Sequence, residues 1–113
     1  MQAYDHIRTE AHDGVFTLTL NRPPLNVMHI PMMAEINAAL EPVVRDESVA
    51  ALVLRAEGKA FSAGVDITDH TAEKVGDMIR VFHDIFRKLA RTDALTVAAV
   101  QGAALGGGCE IMM

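Results

Sequence analysis

The distribution of apolar and polar residues along the chain predicts alternating strands and helices. Residues 14–21, GVFTLTLN, alternate between two sets of side chains and are rich in β-branched residues, which predicts a strand with one buried face. Residues 4–12 have a weaker pattern of the same kind. Asp13 and Gly14, between the two segments, predict a tight hairpin turn. The first element is therefore expected to be a β-hairpin.

Two longer segments carry apolar residues at helical spacing. The first runs from about Pro31, a favourable first residue of a helix, to about Val44. The second follows Thr71, a candidate N-cap, and ends near Thr92. Its apolar residues form one continuous stripe that we expect to be buried: Val75, Met78, Ile79, Phe82, Ile85, Phe86 and Leu89.

A short apolar run follows each of the two predicted helices. Residues 49–56, VAALVLRA, and residues 95–100, LTVAAV, are typical of strands buried on both faces. The order strand, helix, strand, helix, strand predicts an α/β protein with parallel strands joined by helical crossovers. Ligands bind such sheets beyond the carboxyl ends of the strands, so the loops after these two strands are the candidate ligand-binding segments.

Composition and charge narrow the function classes. With 113 residues, half of them apolar and 22% charged, the chain is typical of one globular domain. A single cysteine, the absence of a signal-like start and the lack of a long apolar run predict a cytoplasmic protein without a membrane span. The net charge of -5 and the scattered basic residues argue against nucleic acid as a partner. His29, His70 and His83 lack metal-ligand spacing, so no metal site is predicted.

A loop rich in glycine and alanine follows each of the two apolar strands. In the second loop, Gly106, Gly107 and Gly108 open a helix whose first N–H groups have no partner within the helix, and glycine lets a ligand oxygen approach them closely. If the N–H groups of Val65 and Gly107 face one point, they form a hole for a carbonyl oxygen that becomes negative during reaction. Glu110 would then lie near the reacting carbons.

The same residues allow other interpretations. A glycine triplet after a strand also serves a close contact between a helix and a strand, and Asp66 is compatible with a solvated turn residue. Phosphate-binding motifs fit less well, because no GK[ST] follows the glycines and their spacing differs from G-x-G-x-x-G. A doubly wound nucleotide-binding domain is therefore disfavoured.

Three motifs resemble those of the crotonase family, the enoyl-CoA hydratases and isomerases, in order and spacing. They are LNRPPLN at 20–26, AFSAGVDI at 60–67 and GAALGGGCE at 102–110. The resemblance implies a crotonase-like α/β fold of repeated ββα turns, of which residues 1–113 are the N-terminal part, truncated inside the helix after the glycines. Such a part is expected to be inactive and poorly folded alone. The resemblance also implies a homotrimer or a dimer of trimers.

The resemblance assigns roles to particular residues. It makes the N–H groups of Val65 and Gly107 the donors to a thioester carbonyl and Glu110 one of two catalytic glutamates. No CoA contact is assigned to NRPPLN, because this segment is one residue shorter than the commonest form. The backbone around Ala63, Asp66, Ile67 and Thr68 is implied to line the path of the adenine and pantetheine, and Val65 and Gly107 are implied to bind the CoA thioester.

The implied activity is that of an acyl-CoA hydratase, with coenzyme A as the carrier of the substrate and no other cofactor. FSAGVDITDH followed by MIRVFHDIFRKL is most similar to cyclohexa-1,5-diene-1-carbonyl-CoA hydratases. Glu110, in the first turn of the predicted helix, is expected to act as the base, which leaves the acid to the second glutamate. An enoyl-CoA isomerase, a hydrolase of the family and a non-catalytic acyl-CoA-binding member are the alternatives.

Overall fold

The computed structural model describes residues 3–66 and 71–112. The order of elements predicted from the sequence is confirmed, although the four strands and the second helix are shorter than predicted. Within the described residues the chain forms β1 (Ile7–His12), β2 (Val15–Leu20), α1 (Ile30–Val43), β3 (Ala51–Ala56), α2 (Val75–Arg91), β4 (Leu95–Ala98) and α3 (Gly107–Met112).

The strands form one sheet in the order β1-β2-β3-β4. β1 and β2 pair antiparallel, and the turn residues Asp13 and Gly14 have φ values of 50° and 81°, as a two-residue hairpin turn requires. β2, β3 and β4 are parallel, with α1 and α2 as the crossovers between them. The predicted hairpin and the predicted α/β class are both confirmed.

One apolar core joins the sheet to the helices. Helix α1 begins as predicted, next to Pro31, and its N-cap His29 accepts a hydrogen bond from the N–H of Met32. No described helix has the combination of length and apolar character that a membrane span needs. The buried core includes Leu18 and Leu20 of β2, Leu52 and Leu54 of β3, Met32, Met33, Ile36 and Leu40 of α1, and Met78 and Ile85 of α2.

Helix α2 begins later and buries less of its apolar stripe than predicted. Thr71 Oγ1 accepts from the N–H of Lys74 at 3.2 Å, but this bond closes a turn that precedes the helix. Met78 and Ile85 are buried, whereas Ile79 is 44% exposed and the other members of the stripe are half-buried. The reason is that α2 packs chiefly against α1, and contact along one side buries only a narrow part of a helix.

The prediction that residues 49–56 and 95–100 form strands buried on both faces was wrong, because β3 is fully buried on one face alone and β4 on neither. β4 is a four-residue strand at the edge of the sheet, paired with β3 alone among the described strands. Leu95 is 69% exposed and Val97 is 43% exposed. An apolar sequence indicates that a strand favours burial. Whether the strand is buried depends on which other elements of the fold pack against it.

Candidate active site

The two glycine-rich loops meet beyond the carboxyl ends of β3 and β4. Ser62 and Ala104 form an isolated parallel bridge between the loops. The N–H of Phe61 donates to the carbonyl of Ala103 and the N–H of Leu105 donates to the carbonyl of Ser62, each at 3.0 Å. The pairing of β3 with β4 is thus resumed between the loops, which fixes their relative position.

Gly108 packs directly against Ser62. A Cβ built at Gly108 would overlap the Ser62 backbone and lie 2.7 Å from its Cβ, so only glycine fits. Ser62 is fully buried, and its hydroxyl donates to the carbonyl of Asn26 at 2.8 Å and accepts from the N–H of Gly64 at 3.2 Å. A close backbone contact, the alternative interpretation of the glycines, therefore explains Gly108.

Val65 and Gly107 lie next to each other. A Cβ built at Gly107 would come within 2.9 Å of Val65 Cγ2, and one built at Gly64 within 3.7 Å of the nitrogen of Gly107. Val65 forms an isolated parallel bridge with Met28, whose hydrogen bonds use the carbonyl of Gly64 and the N–H of Asp66. Because successive N–H groups of extended backbone alternate in direction, the N–H of Val65 points away from Met28.

The N–H groups of Val65 and Gly107 have no acceptor within the described part of the chain. Gly107 is the first residue of α3, so its N–H lacks a partner inside the helix. Gly106, which precedes it, has a φ of 51°, a value that favours glycine. The structure thus brings together the two donors that the sequence singled out, and their role as an oxyanion hole stays a prediction.

Glu110 lies on the exposed side of α3, three positions after Gly107. Its backbone N–H donates to the carbonyl of Gly106 at 3.0 Å, which holds it in the first turn of the helix. The carboxylate does not line the cleft described next. Its predicted role as a base is not decided by these contacts.

An open cleft of about 510 Å³ lies beside Val65. The N–H of Ala63 donates to the carbonyl of Leu25 at 2.9 Å and joins the two walls of the cleft. Ile67 and Thr68, which were also expected along the CoA path, lie outside the described residues. One wall consists of Arg22, Pro23, Pro24, Leu25 and Val27, and the other of Ala63, Val65 and Asp66.

Arg22 is a cleft residue that the sequence pattern did not indicate. Its Nη1 donates to the carbonyl of Val27 at 2.7 Å and forms an ion pair with Asp66 Oδ2 at 3.2 Å. Only 18% of the Asp66 side chain is exposed, so Asp66 is not a solvated turn residue. The pair places a guanidinium, a group that binds phosphate and carboxylate oxygens well, beside Val65.

Asn26 hydrogen-bonds to the backbone of the cleft wall that contains Arg22. The sequence pattern did not indicate this role either. Asn26 is fully buried with a φ of 51°, and its Oδ1 accepts from the N–H of Arg22 at 2.7 Å. Its Nδ2 donates to the carbonyls of Glu57 and Ala60 at 2.8 and 2.9 Å. A lone amide between apolar residues in PLNVM was the available signal.

Replacing Asn26 by alanine is expected to lower the free energy of unfolding by at least about 2 kcal/mol. The change removes one buried and two part-buried hydrogen bonds to backbone groups, a buried group without a partner costs about 1–3 kcal/mol, and alanine is disfavoured at positive φ. Urea unfolding of the protein that carries this chain measures the loss. Asn21→Ala is the control, because Asn21 is half-buried and its side chain has no partner among the described residues. Equal losses in the two variants would contradict this role of Asn26.

One group of possible metal ligands occurs among the described residues. It consists of Asp5, His6 and Glu35, whose ligand atoms lie within 4.8 Å of one another. The N–H of His6 donates to Glu35 Oε1 at 2.9 Å, which accounts for part of this arrangement. None of the three residues lines the cleft beside Val65. The cluster and the candidate active site therefore share no residue.

The chain is similar in sequence to one family of CoA-dependent proteins. The family described as enoyl-CoA hydratase/isomerase matches residues 10–113. A probable enoyl-CoA hydratase of Mycobacterium tuberculosis is 37% identical over 112 residues, which cover 97% of this chain and 44% of that protein. The 1,2-epoxyphenylacetyl-CoA isomerase of Escherichia coli is 32% identical over 117 residues, with 96% and 45% covered. The chain thus spans less than half the length of these relatives.

The fold is also similar to that of solved structures. The crystal structure of an enoyl-CoA hydratase from Mycobacterium smegmatis has a TM-score of 0.87 and 33% sequence identity. The similarity covers 96% of this chain and 44% of that one. The predicted fold class is therefore confirmed.

Proposed function

The chain belongs to the enoyl-CoA hydratase/isomerase family, and on that basis we propose that it forms the thioester-binding part of an acyl-CoA hydratase. The proposed reaction adds water to an α,β-unsaturated CoA thioester or removes it. The observation that carries this proposal is the pair of neighbouring N–H groups of Val65 and Gly107, neither with an acceptor in the described chain. Buried backbone donors in folded proteins are normally paired with protein groups or water, and we infer that a ligand oxygen takes this place at the two half-buried donors.

The two donors suit the charge that develops during hydration. When the oxygen of water bonds to the β-carbon, electron density moves onto the thioester oxygen, and a preorganised donor there is worth about 3 kcal/mol. The bridge between the loops and the contact of Gly108 with Ser62 hold the donors in place before the substrate binds. The donors therefore need little rearrangement as the charge appears.

The proton transfers need a base and an acid. We assign the base to the carboxylate of Glu110, which takes a proton from the attacking water. The acid that protonates the α-carbon is assigned to no described residue. The assignment of Glu110 rests on its position in the first turn of α3, three residues after the donor Gly107.

The cleft beside Val65 is the proposed site of the adenine and pantetheine of CoA. Its wall of Pro23, Pro24 and Leu25 offers apolar surface, and Arg22 offers N–H groups for a phosphate. Ala63 and Asp66 form the opposite wall, and we extend this path to Ile67 and Thr68. Coenzyme A is thus the carrier of the substrate, and the proposed assembly is a homotrimer or a dimer of trimers in the cytoplasm.

The same donor pair could serve other reactions of a thioester enolate. An isomerase is the second candidate, because a relative that is 32% identical is the 1,2-epoxyphenylacetyl-CoA isomerase of Escherichia coli. A hydrolase or a non-catalytic acyl-CoA-binding protein would also use the cleft and the donors. As the acyl group we propose a cyclic dienoyl group, on the resemblance of residues 61–70 and 78–89 to the cyclohexa-1,5-diene-1-carbonyl-CoA hydratases.

Binding is expected to stabilise the protein that carries this chain against unfolding. Crotonyl-CoA at about 100 times its Kd should raise the free energy of unfolding by about 2.7 kcal/mol, as any ligand specific for the folded state does. ATP and NAD at the same concentration should stabilise the protein much less, because they lack the thioester that accepts from the two donors. Urea unfolding measures the stabilisation, and loss of the enoyl absorbance separates a hydratase from a protein that only binds. Stabilisation by ATP or NAD without stabilisation by crotonyl-CoA would identify a nucleotide-binding domain instead.

A further inference from the structure

The side chain of Phe82 reaches the donor pair from α2. A Cβ built at Gly107 would lie 3.1 Å from Phe82 Cζ and 3.3 Å from its Cε1, so the tip of the ring faces Gly107. The same point lies 2.9 Å from Val65 Cγ2. An aromatic ring and a methyl group therefore meet at the residue that supplies one of the two unpaired N–H groups.

The ring of Phe82 packs against the ring of a second phenylalanine in the same helix. Phe86 lies one turn further along α2, with the ring centroids 4.9 Å apart and the ring planes at 90°. This edge-to-face arrangement is the favourable geometry of aromatic pairs. Phe82 is half-buried, so part of the residue is accessible to solvent.

Phe82 and Phe86 have different surroundings. Phe86 borders a groove between α2 and β4, together with Leu89 and Val97. Phe82 does not line that groove and contacts Gly107 instead. Of the two rings, Phe82 is the one next to the donors, and Phe86 supports it.

We propose that Phe82 is a specificity-determining residue that favours flat, ring-containing acyl groups over flexible saturated chains. The inference rests on the proposed function, because it takes the thioester oxygen to accept from the N–H groups of Val65 and Gly107. The acyl carbons next to that oxygen then lie beside the Phe82 ring. A flat aromatic group gains from packing on this ring beyond the area that it buries, whereas a saturated chain gains only the buried area and loses rotational freedom.

Phe82→Leu tests this role, because leucine stays apolar and of moderate size but removes the ring. The dissociation constants of benzoyl-CoA and butyryl-CoA are measured by calorimetry with the protein that carries this chain. The Kd of benzoyl-CoA should rise about 2- to 13-fold, the equivalent of the ~0.5–1.5 kcal/mol of an aromatic pair. The Kd of butyryl-CoA should change by less than about 2-fold, since its contact with a side chain of this size is kept.

Two further variants make the result specific. Phe82→Met also removes the ring but keeps an apolar side chain of similar length, so it should lose the preference for benzoyl-CoA as Phe82→Leu does, and it covers the case in which the leucine variant does not fold. Phe16→Leu is the matched control, because Phe16 is a half-buried phenylalanine on β2, near the hairpin turn at the opposite end of the sheet.

The outcomes separate this inference from the proposed function. Equal weakening of both thioesters by Phe82→Leu, or no change in either, would overturn the specificity role. So would an equal loss of preference in Phe16→Leu, or a preference that is kept in Phe82→Met. If the unsubstituted protein binds neither thioester, the proposed function itself is wrong, and this inference falls with it.

Discussion

Replacement of Gly107 by proline is expected to lower the turnover of an enoyl-CoA substrate by about 10²-fold or more. Proline has no N–H, so one of the two unpaired donors next to Val65 disappears, and an oxyanion-hole donor is worth about 10²–10³ in kcat. The fall should be larger in kcat than in the affinity for the thioester, because the oxygen carries most charge in the transition state. Steady-state hydration kinetics and equilibrium binding of the substrate separate the two effects.

The matched control for this substitution is Gly107→Ala. A Cβ at this position would lie 2.9 Å from Val65 Cγ2 and 3.1 Å from Phe82 Cζ, so proline adds crowding as well as removing the donor. Alanine adds the Cβ and keeps the N–H, and we expect it to lose much less activity than proline. Proline itself is compatible with the first residue of a helix. If the folded proline variant keeps near-normal turnover, the oxyanion assignment is wrong, and an equal loss in the alanine variant would assign the fall in turnover to the added Cβ.

Local patterns were sufficient to predict the elements and their order. The alternation in residues 14–21, the turn residues Asp13 and Gly14, and Pro31 at the start of α1 each specify a backbone conformation within a few residues. Two strands separated by a helix then imply a parallel crossover, because few other connections are available to them. These predictions hold because they depend on neighbours in sequence.

Burial and side-chain contacts could not be predicted in the same way. The apolar residues of β4 are exposed because it is an edge strand, and sequence alone does not show which strand lies at the edge. The ion pair of Arg22 with Asp66 joins residues 44 positions apart, and Asn26 bonds to a carbonyl 34 positions away. Such contacts follow from the way the loops fold over one another.

The candidate site likewise has one feature that the sequence predicts and one that it does not. The closeness of Val65 and Gly107 was predictable. Each residue lies in a loop after a parallel strand, and the ends of those strands share one edge of the sheet. The position of Phe82 beside Gly107 was not predictable, because it depends on how far α2 is rotated about its axis. The sequence showed Phe82 only as one member of an apolar stripe. Its contact with the donor residue is therefore information that only the three-dimensional structure supplies.

Glu110→Gln should lower hydration by about 10²-fold or more while the affinity for the CoA thioester is nearly kept. Glutamine has the shape and hydrogen-bonding groups of glutamate, but it cannot take a proton from water. Glu110 is exposed on α3, so its exchange for glutamine is compatible with the fold. Hydration rates and thioester binding are measured on the protein that carries this chain.

The control distinguishes a base from a glutamate that only stabilises a helix end. Glu73→Gln removes an exposed negative charge just before α2 and should leave hydration unchanged. An acidic residue near a helix start gains about 0.3–1 kcal/mol from the helix dipole, so its loss lowers the free energy of unfolding slightly and spares the chemistry. If Glu110→Gln shows only such a small loss of stability, with hydration at the unsubstituted rate, Glu110 is a helix-end residue and a different group removes the proton from water.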